Sequence, residues 1–412
     1  MYRLKTIVFV GTNKSGSSRE AIQAAERMGY FTVLFTKNEK QLRQRNEYLD
    51  VHEMIFVDTD NISEMKNEVN RLKSKGKDIK TIVSFIDSNV YQASILCDVF
   101  CPNRLSSRGI EIMENKEQTR NLLHDQPYTP KFLVIQPGEM DSLETLNAQL
   151  CFPIMVKSPK STGSKDVLLA KGNEQLRKQI ASLQEKNPDE SIILEEYIEG
   201  DQYLVEALVY NNKVQIAGIC KQEITQDKRF IITGYGVYAD VPSNLKKGIE
   251  NVLHSIISQF GMINGALHLE LRLSKNGWKL IEINPRISGG AMNKMIQAAF
   301  GFNLVEETLK LYLGESPSLK PKCKNYVFTQ YLVVTKKGVL EKVTGKKRAK
   351  NSPGVVDVYV KPKKGTKLIP PLSMGHRYAY VIATGASMEE AKQFAQNAAN
   401  EIRFHLIEET KE

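Results

Sequence analysis

Apolar positions along this chain follow two periods, and the switches between them mark its elements. "KTIVFVGTNKSG" opens with a near-continuous apolar run and ends in a glycine-bearing loop. "SREAIQAAERMG" spaces its apolar residues at helical intervals, and "YFTVLFT" returns to a run. The runs fit buried strands and the spaced pattern an amphipathic helix. "EMIFVDTD", a helix over 61–75, "IKTIVSFIDS" and a helix over 89–98 continue the alternation. Strands alternating with helices predict a parallel, doubly wound α/β sheet over residues 1–108.

The pattern then changes. Residues 106–125 read as helix, and the Pro-bearing "DQPYTPKF" leads out of them, which sets a boundary near 105–130. "CFPIMVKSPKSTGSKDVLLA" reads strand, small-residue loop, strand, followed by a helix over 173–186. "SIILEEYIEGDQYLVEALVYNNKVQIAGICKQEI" gives further strands with turns at Glu199-Gly200 and Asn211-Asn212, and a helix covers 244–259. "LHLELRLSKNGWKLIEINPRISGG" (267–290) reads as two strands joined by "SKNG", and two helices follow it, "AMNKMIQAAF" and "NLVEETLKLYLG". From about 325, "YVFTQYLVV", "GVLEKVTG", "GVVDVYVK" and "RYAYVIATG" predict antiparallel strands. "SMEEAKQFAQNAANEIRFHL" predicts a closing helix capped by Ser387.

Composition narrows the class. Of 412 residues, 41% are hydrophobic and 25% charged, as in a soluble globular protein of several subdomains. No apolar run approaches the ~18–20 residues that span a bilayer. The N-terminus shows no apolar core or cleavage site of a secretory signal, so a cytoplasmic location is expected. Five cysteines with no Cys-x-x-Cys pair fit reduced, packed thiols. The net charge is +10, and residues 320–367 carry 14 Lys or Arg against Glu341 and Asp357 alone. Without aromatic interleaving or a nucleic-acid motif, that segment reads as a solvated basic face, and neither a nucleic-acid nor a membrane partner is expected.

The candidate chemistry sits in 267–290. Period two places His268, Glu270 and Arg272 on one strand face, and Leu280, Glu282 and Asn284 on one face of the next. If "SKNG" closes a hairpin, both glutamates face one cleft. Two carboxylates and an amide oxygen are hard ligands that suit Mg²⁺, which is commonly shared with substrate phosphates. Pro285 ends the strand and Arg286 projects beyond it with a planar fork for an oxyanion. The amides of Ser288 to Gly290 open a helix, where anions bind.

On these residues the chain resembles the ATP-grasp carboxylate–amine ligases over about residues 5–310. Within them it resembles the bacterial L-amino acid ligases that make dipeptides, nearest to their arginine-selective branch in antibiotic biosynthesis, typified by rhizocticin. The resemblance implies a Rossmann-like N-terminal domain (1–108), ATP-grasp subdomains at 109–190 and 191–315, and an antiparallel C-terminal lobe (316–412). It implies Glu270, Glu282 and Asn284 as ligands for Mg²⁺, two ions in all, with Mn²⁺ as an alternative. Arg286 is implied to stabilise an acyl phosphate and a tetrahedral intermediate. Lys116 in "ENKEQ" and Lys157 in "IMVKS" are implied to contact the phosphates of ATP, with Gly163 and Ser164 of "KSTGS" closing over them.

In "LEEYIEG", Glu195 and the backbone of Glu196 to Ile198 are implied to meet the adenine edge, flanked by Tyr197. Gln202 stands where many relatives carry a ribose-binding Glu, and Glu206 on the same face is a substitute. His268, Ser288 and Gly289 are candidate substrate contacts, as is Glu223 in "CKQEI". Asp87 or Glu223 would serve an arginine substrate's guanidinium. "ITGYGVYADVP" (232–242) reads as a mobile cover or an ordinary loop, and a homodimer through the N-terminal region is implied. The expected reaction joins two L-amino acids with release of ADP and phosphate. The alternative joins a different carboxylate to a non-amino-acid amine.

Overall fold

The computed structural model describes residues 3–138, 150–159, 166–226 and 230–407. Four sheets order the chain. The first is built from β1 (Leu4–Val10), β2 (Phe31–Thr36), β3 (Glu53–Phe56) and β4 (Lys77–Val83), parallel in the order β3-β2-β1-β4. Helices α1 (Ser17–Arg27), α2 (Glu39–Arg43), α3 (Ile62–Ser74) and α4 (Val90–Phe100) complete it. This is the doubly wound domain expected from the alternating runs. The turn after β1 needs Gly11: its φ is +72°, and a Cβ there would lie 2.3 Å from the Asn89 amide.

The helix expected over 106–125 is two helices, α5 (Ser107–Met113) and α6 (Lys116–Leu122). Asn115 makes the break, because its side chain accepts from the Glu117 and Gln118 amides at 3.0 and 3.2 Å and so starts α6 afresh. A second, antiparallel sheet holds β5 (Phe132–Ile135), β6 (Ile154–Lys157), β7 (Val167–Ala170) and β8 (Ile192–Glu196), backed by α7 (Asn173–Lys186).

The third sheet has eight strands. Its order is β13-β12-β9-β10-β11-β14-β18-β16, from β9 (Asp201–Tyr210), β10 (Lys213–Gln226), β11 (Phe230–Val237), β12 (Gly265–Ser274), β13 (Gly277–Asn284), β14 (Tyr326–Leu332), β16 (Val355–Val360) and β18 (Ala379–Gly385). It therefore runs unbroken across the expected boundary at 315/316. One face is apolar: Val205, Ala207, Leu267, Leu269 and Leu271 pack against Leu253, Ile256 and neighbours of α8 (Ser243–Gln259). Each such fully buried side chain contributes about 1.5–3 kcal/mol. The other face meets the N-terminal domain, α9 (Met292–Phe300) and α10 (Leu304–Tyr312).

Two further expectations about elements change. Residues 232–237 of the segment read as a cover or loop belong to β11, paired with β10 and β14. Gly234 and Gly236 are there for packing, since Cβ atoms would meet Phe328 at 2.5 Å and Met388 at 2.6 Å. The closing helix, α12 (Met388–Glu401), stops earlier than expected; Arg403–Ile407 is β19. It pairs with β15 (Gly338–Thr344), and β17 (Lys367–Leu368) completes this fourth, three-stranded sheet. A short α11 (Lys346–Lys350) carries part of the basic segment. Among the described residues no helix is long and apolar enough to cross a membrane.

Candidate functional site

The β12–β13 hairpin closes as the turn predicts, with Glu270 opposite Glu282 and His268 opposite Asn284. Residues opposed across an antiparallel pair share a face, so all four crowd together. A buried polar chain holds them. Arg272 Nε donates to Gln202 Oε1 at 2.9 Å, and Gln202 Nε2 donates to Glu270 Oε2 at 2.7 Å. Arg272 also donates to the Ile198 carbonyl and lies 5.5 Å from the Tyr197 ring centre, tying the 194–200 segment to the acid pair. On the other side His268 Nδ1 meets Glu206 Oε1 at 2.5 Å, and Glu206 Oε2 accepts the Ser288 amide at 3.0 Å. Gln202 and Glu206 thus both support the acids.

The electrostatics fit a cation. Burial and the facing Glu270 push the Glu282 carboxyl above its usual range, offset in part by Lys116 at 3.7 Å and by Lys157. Burial pushes His268 down, but Glu206 and Glu270 outweigh it and hold the ring protonated up to about 10. Two facing carboxylates, with the Asn284 oxygen beside them, form a hard donor set whose mutual repulsion a divalent ion would relieve. Among the described residues no group of three or more acids, His or Cys is arranged as a metal site, so the amide and substrate oxygens would complete the shell.

Glu195 is placed differently from the expectation that it meets adenine. Its carboxylate is 2% exposed and is shared by Arg120, at 2.7 Å, and Lys157. Burial would raise it, yet the two cations hold it at about 2. Arg120 also donates to the carbonyls of Leu280 and Ile281 at 3.1 and 2.9 Å, locking α6 onto β13. Nothing in the sequence distinguishes Arg120 from a surface arginine of a polar helix. The amides of Glu196 and Tyr197 already bond to the Lys131 and Pro153 carbonyls, and the Glu196 carboxylate accepts the Lys131 amide at 2.9 Å.

Arg286 leaves β13 and pairs with Asp87, in the turn after β4, so the N-terminal domain reaches this site. Burial and Asp87 act oppositely on its guanidinium, and Asp87 prevails, raising it further. A cleft of ≈ 540 Å³ lies here, lined among others by Asp87, Glu114, Lys116, Arg120, Glu282 and Asn284. Glu114 accepts the Tyr91 amide at 3.0 Å, and burial followed by Asp87 pushes it up to about 7.

Ser288 is buried, and Gly289 is exposed beside it. Glu223 does not join the cluster. Its strand neighbours Cys220 and Gln222 alternate onto the acid face, so Glu223 points to the opposite one and pairs with Lys392 at 2.7 Å. Gly163 and Ser164 lie outside the described residues.

Residues 150–294 match an ATP-grasp domain, and residues 330–406 match the L-amino acid ligase C-terminal domain 2. The chain is similar to the uncharacterised protein y4rH of Sinorhizobium fredii, 24% identical over 365 residues, covering 86% of this chain and 74% of that one. It is similar to carnosine synthase 1 of Gallus gallus, 25% identical over 129 residues, covering 31% of this chain but only 14% of the relative. Its fold superposes on that of an L-amino acid ligase from Bacillus licheniformis with a TM-score of 0.80, at 18% identity, with both chains fully covered. The fold is ATP-grasp, and the chain is an ATP-grasp carboxylate–amine ligase.

Proposed function

We propose that this ligase joins two L-amino acids into a dipeptide through an acyl phosphate, releasing ADP and phosphate. The observation that carries the reading is the opposed Glu270–Glu282 pair with Asn284 and Arg286 beside it, on a chain whose residues 330–406 match an L-amino acid ligase domain. Glu270, Glu282 and Asn284 would hold Mg²⁺, as two ions or replaced by Mn²⁺, which supplies charge neutralisation on the transferring phosphoryl group.

The carboxylate of the first amino acid attacks the γ-phosphorus of ATP, and the bond to ADP breaks. Two anions meet in this step, and Lys116, Lys157 and Arg286 offset their repulsion. The amine of the second amino acid then attacks the acyl carbon. Phosphate leaves with one oxygen of the original carboxylate, and the amine gives up its proton. Arg286, anchored by Asp87 of the cleft wall, holds the oxyanion that forms. Arginine is the first substrate to examine, because Glu114, lining that cleft, offers a carboxyl group to a cationic side chain. The test supplies ATP, Mg²⁺ and amino acids singly and in pairs, reads ADP and AMP, and weighs the products. Amino-acid-dependent ADP with a dipeptide mass supports the reading; AMP, or ADP without any dipeptide, contradicts it.

A further inference from the structure

The face of the eight-stranded sheet that carries the acids continues past them. Leu204 is opposed by Glu270 on one side and Cys220 on the other, so these three share the face. Gln222 follows two residues after Cys220 and opposes Tyr235, which in turn opposes Thr329. Cys220 contacts Met292, at the start of the helix that the "NPRISGG" loop opens. The row Gln222–Tyr235–Thr329 therefore extends the same working face toward the C-terminal strands.

Two atoms in this row are orphans. Gln222 is 6% exposed and Thr329 fully buried, and among the described residues neither Gln222 Oε1 nor Thr329 Oγ1 has a hydrogen-bond partner. A buried polar atom left unpaired costs about 1–3 kcal/mol, so two on one face call for a ligand or water. Beside Tyr235 of this row lies Arg377. Its guanidinium is 3.8 Å from the Tyr331 ring centre and 5.7 Å from that of Tyr235, and it donates to the Tyr235 hydroxyl at 3.4 Å and the Met374 carbonyl at 3.3 Å. Among the described residues no carboxylate pairs with this half-buried cation.

We propose that Arg377 binds the α-carboxylate of the second amino acid, with the Thr329 hydroxyl as a further donor to it and Gln222 Oε1 as an acceptor for that substrate's amine. An arginine held flat on tyrosine rings presents its fork edge-on to a carboxylate. The inference rests on the proposed dipeptide reaction and narrows its acceptor: the amine must carry a carboxylate. A substrate carboxylate arriving here also supplies the counter-charge that the protein itself withholds from Arg377.

The test uses the full-length protein and a panel of L-amino acids with their α-carboxamides as acceptors. Arg377→Met should raise KM for amino-acid acceptors about 10- to 100-fold, the range of a lost charged hydrogen bond. It should leave kcat/KM for carboxamides and KM for ATP within about two-fold of wild type, and Arg377→Lys should recover part of the loss. Equal losses with amino acids and carboxamides, or a raised KM for ATP, would overturn the assignment. Calorimetric titration of the same panel into ADP- and Mg²⁺-loaded protein reads the site without turnover: wild type should prefer carboxylates, and Arg377→Met should lose that preference. Wild-type binding without such a preference overturns the inference. Preference without dipeptide formation would instead sink the proposed reaction while leaving the carboxylate site in place.

Discussion

Glu195 offers the sharpest test of the electrostatics. Glu195→Gln keeps the shape of the side chain and removes its charge, leaving the Arg120 and Lys157 side chains, 4% and 8% exposed, without an anion. Breaking a buried pair in this way costs roughly 3–5 kcal/mol. The carboxyl itself gives a second route to the size. Its range is lowered from 4.5 to about 2 on folding, which corresponds to roughly 3 kcal/mol at neutral pH. A depressed carboxylate contributes stability that is fully present above its unfolded value and fades as pH falls through the folded one. The gap between wild type and variant should therefore be about 3 kcal/mol at pH 7 and roughly half of that by pH 3. Urea unfolding followed across that range measures it. A gap under about 1 kcal/mol at pH 7, or one unchanged at pH 3, would refute the buried triad.

Other perturbations have equally definite signs. Because burial and Glu270 disfavour the ionised Glu282, Glu282→Gln should raise the melting temperature in EDTA and abolish the further rise that Mg²⁺ gives wild type; thermal melts with and without metal check both. Glu114 is raised on folding to about 7, so its cost appears only as pH climbs from its unfolded value through 7. Glu114→Gln should stabilise at pH 8 and be neutral at pH 4 in melts at the two pH values. Arg286→Ala should lower kcat at least about 100-fold, as loss of an oxyanion donor does, with nucleotide binding retained in a fluorescent-nucleotide titration.

The sequence disclosed the parts whose cause is local. Alternating runs gave the parallel domain, and period two with the "SKNG" turn put Glu270 opposite Glu282. The residues it left hidden depend on distant pairing. Arg120 lies on a polar helix, and only its docking on β13 makes it a buried partner of Glu195. Glu223 was placed by type alone; the register of β10, with its irregularity between Ile216 and Gly218, decides which face each residue takes. Gln222, Thr329 and Arg377 come from three segments that only the pairing of β10, β11, β14 and β18 assembles. Arg403–Ile407 was absorbed into the closing helix because no glycine or proline marks where Glu401 ends it.

The central claim is that a carboxylate is activated by phosphoryl transfer before the amine attacks. The most direct measurement labels both carboxylate oxygens of the first amino acid with ¹⁸O, runs the reaction with ATP and Mg²⁺, and weighs the released nucleotide and phosphate. The account predicts one ¹⁸O in phosphate and none in the nucleotide, because phosphate departs with a substrate oxygen. Label in AMP, or unlabelled phosphate alongside a labelled dipeptide, would contradict it.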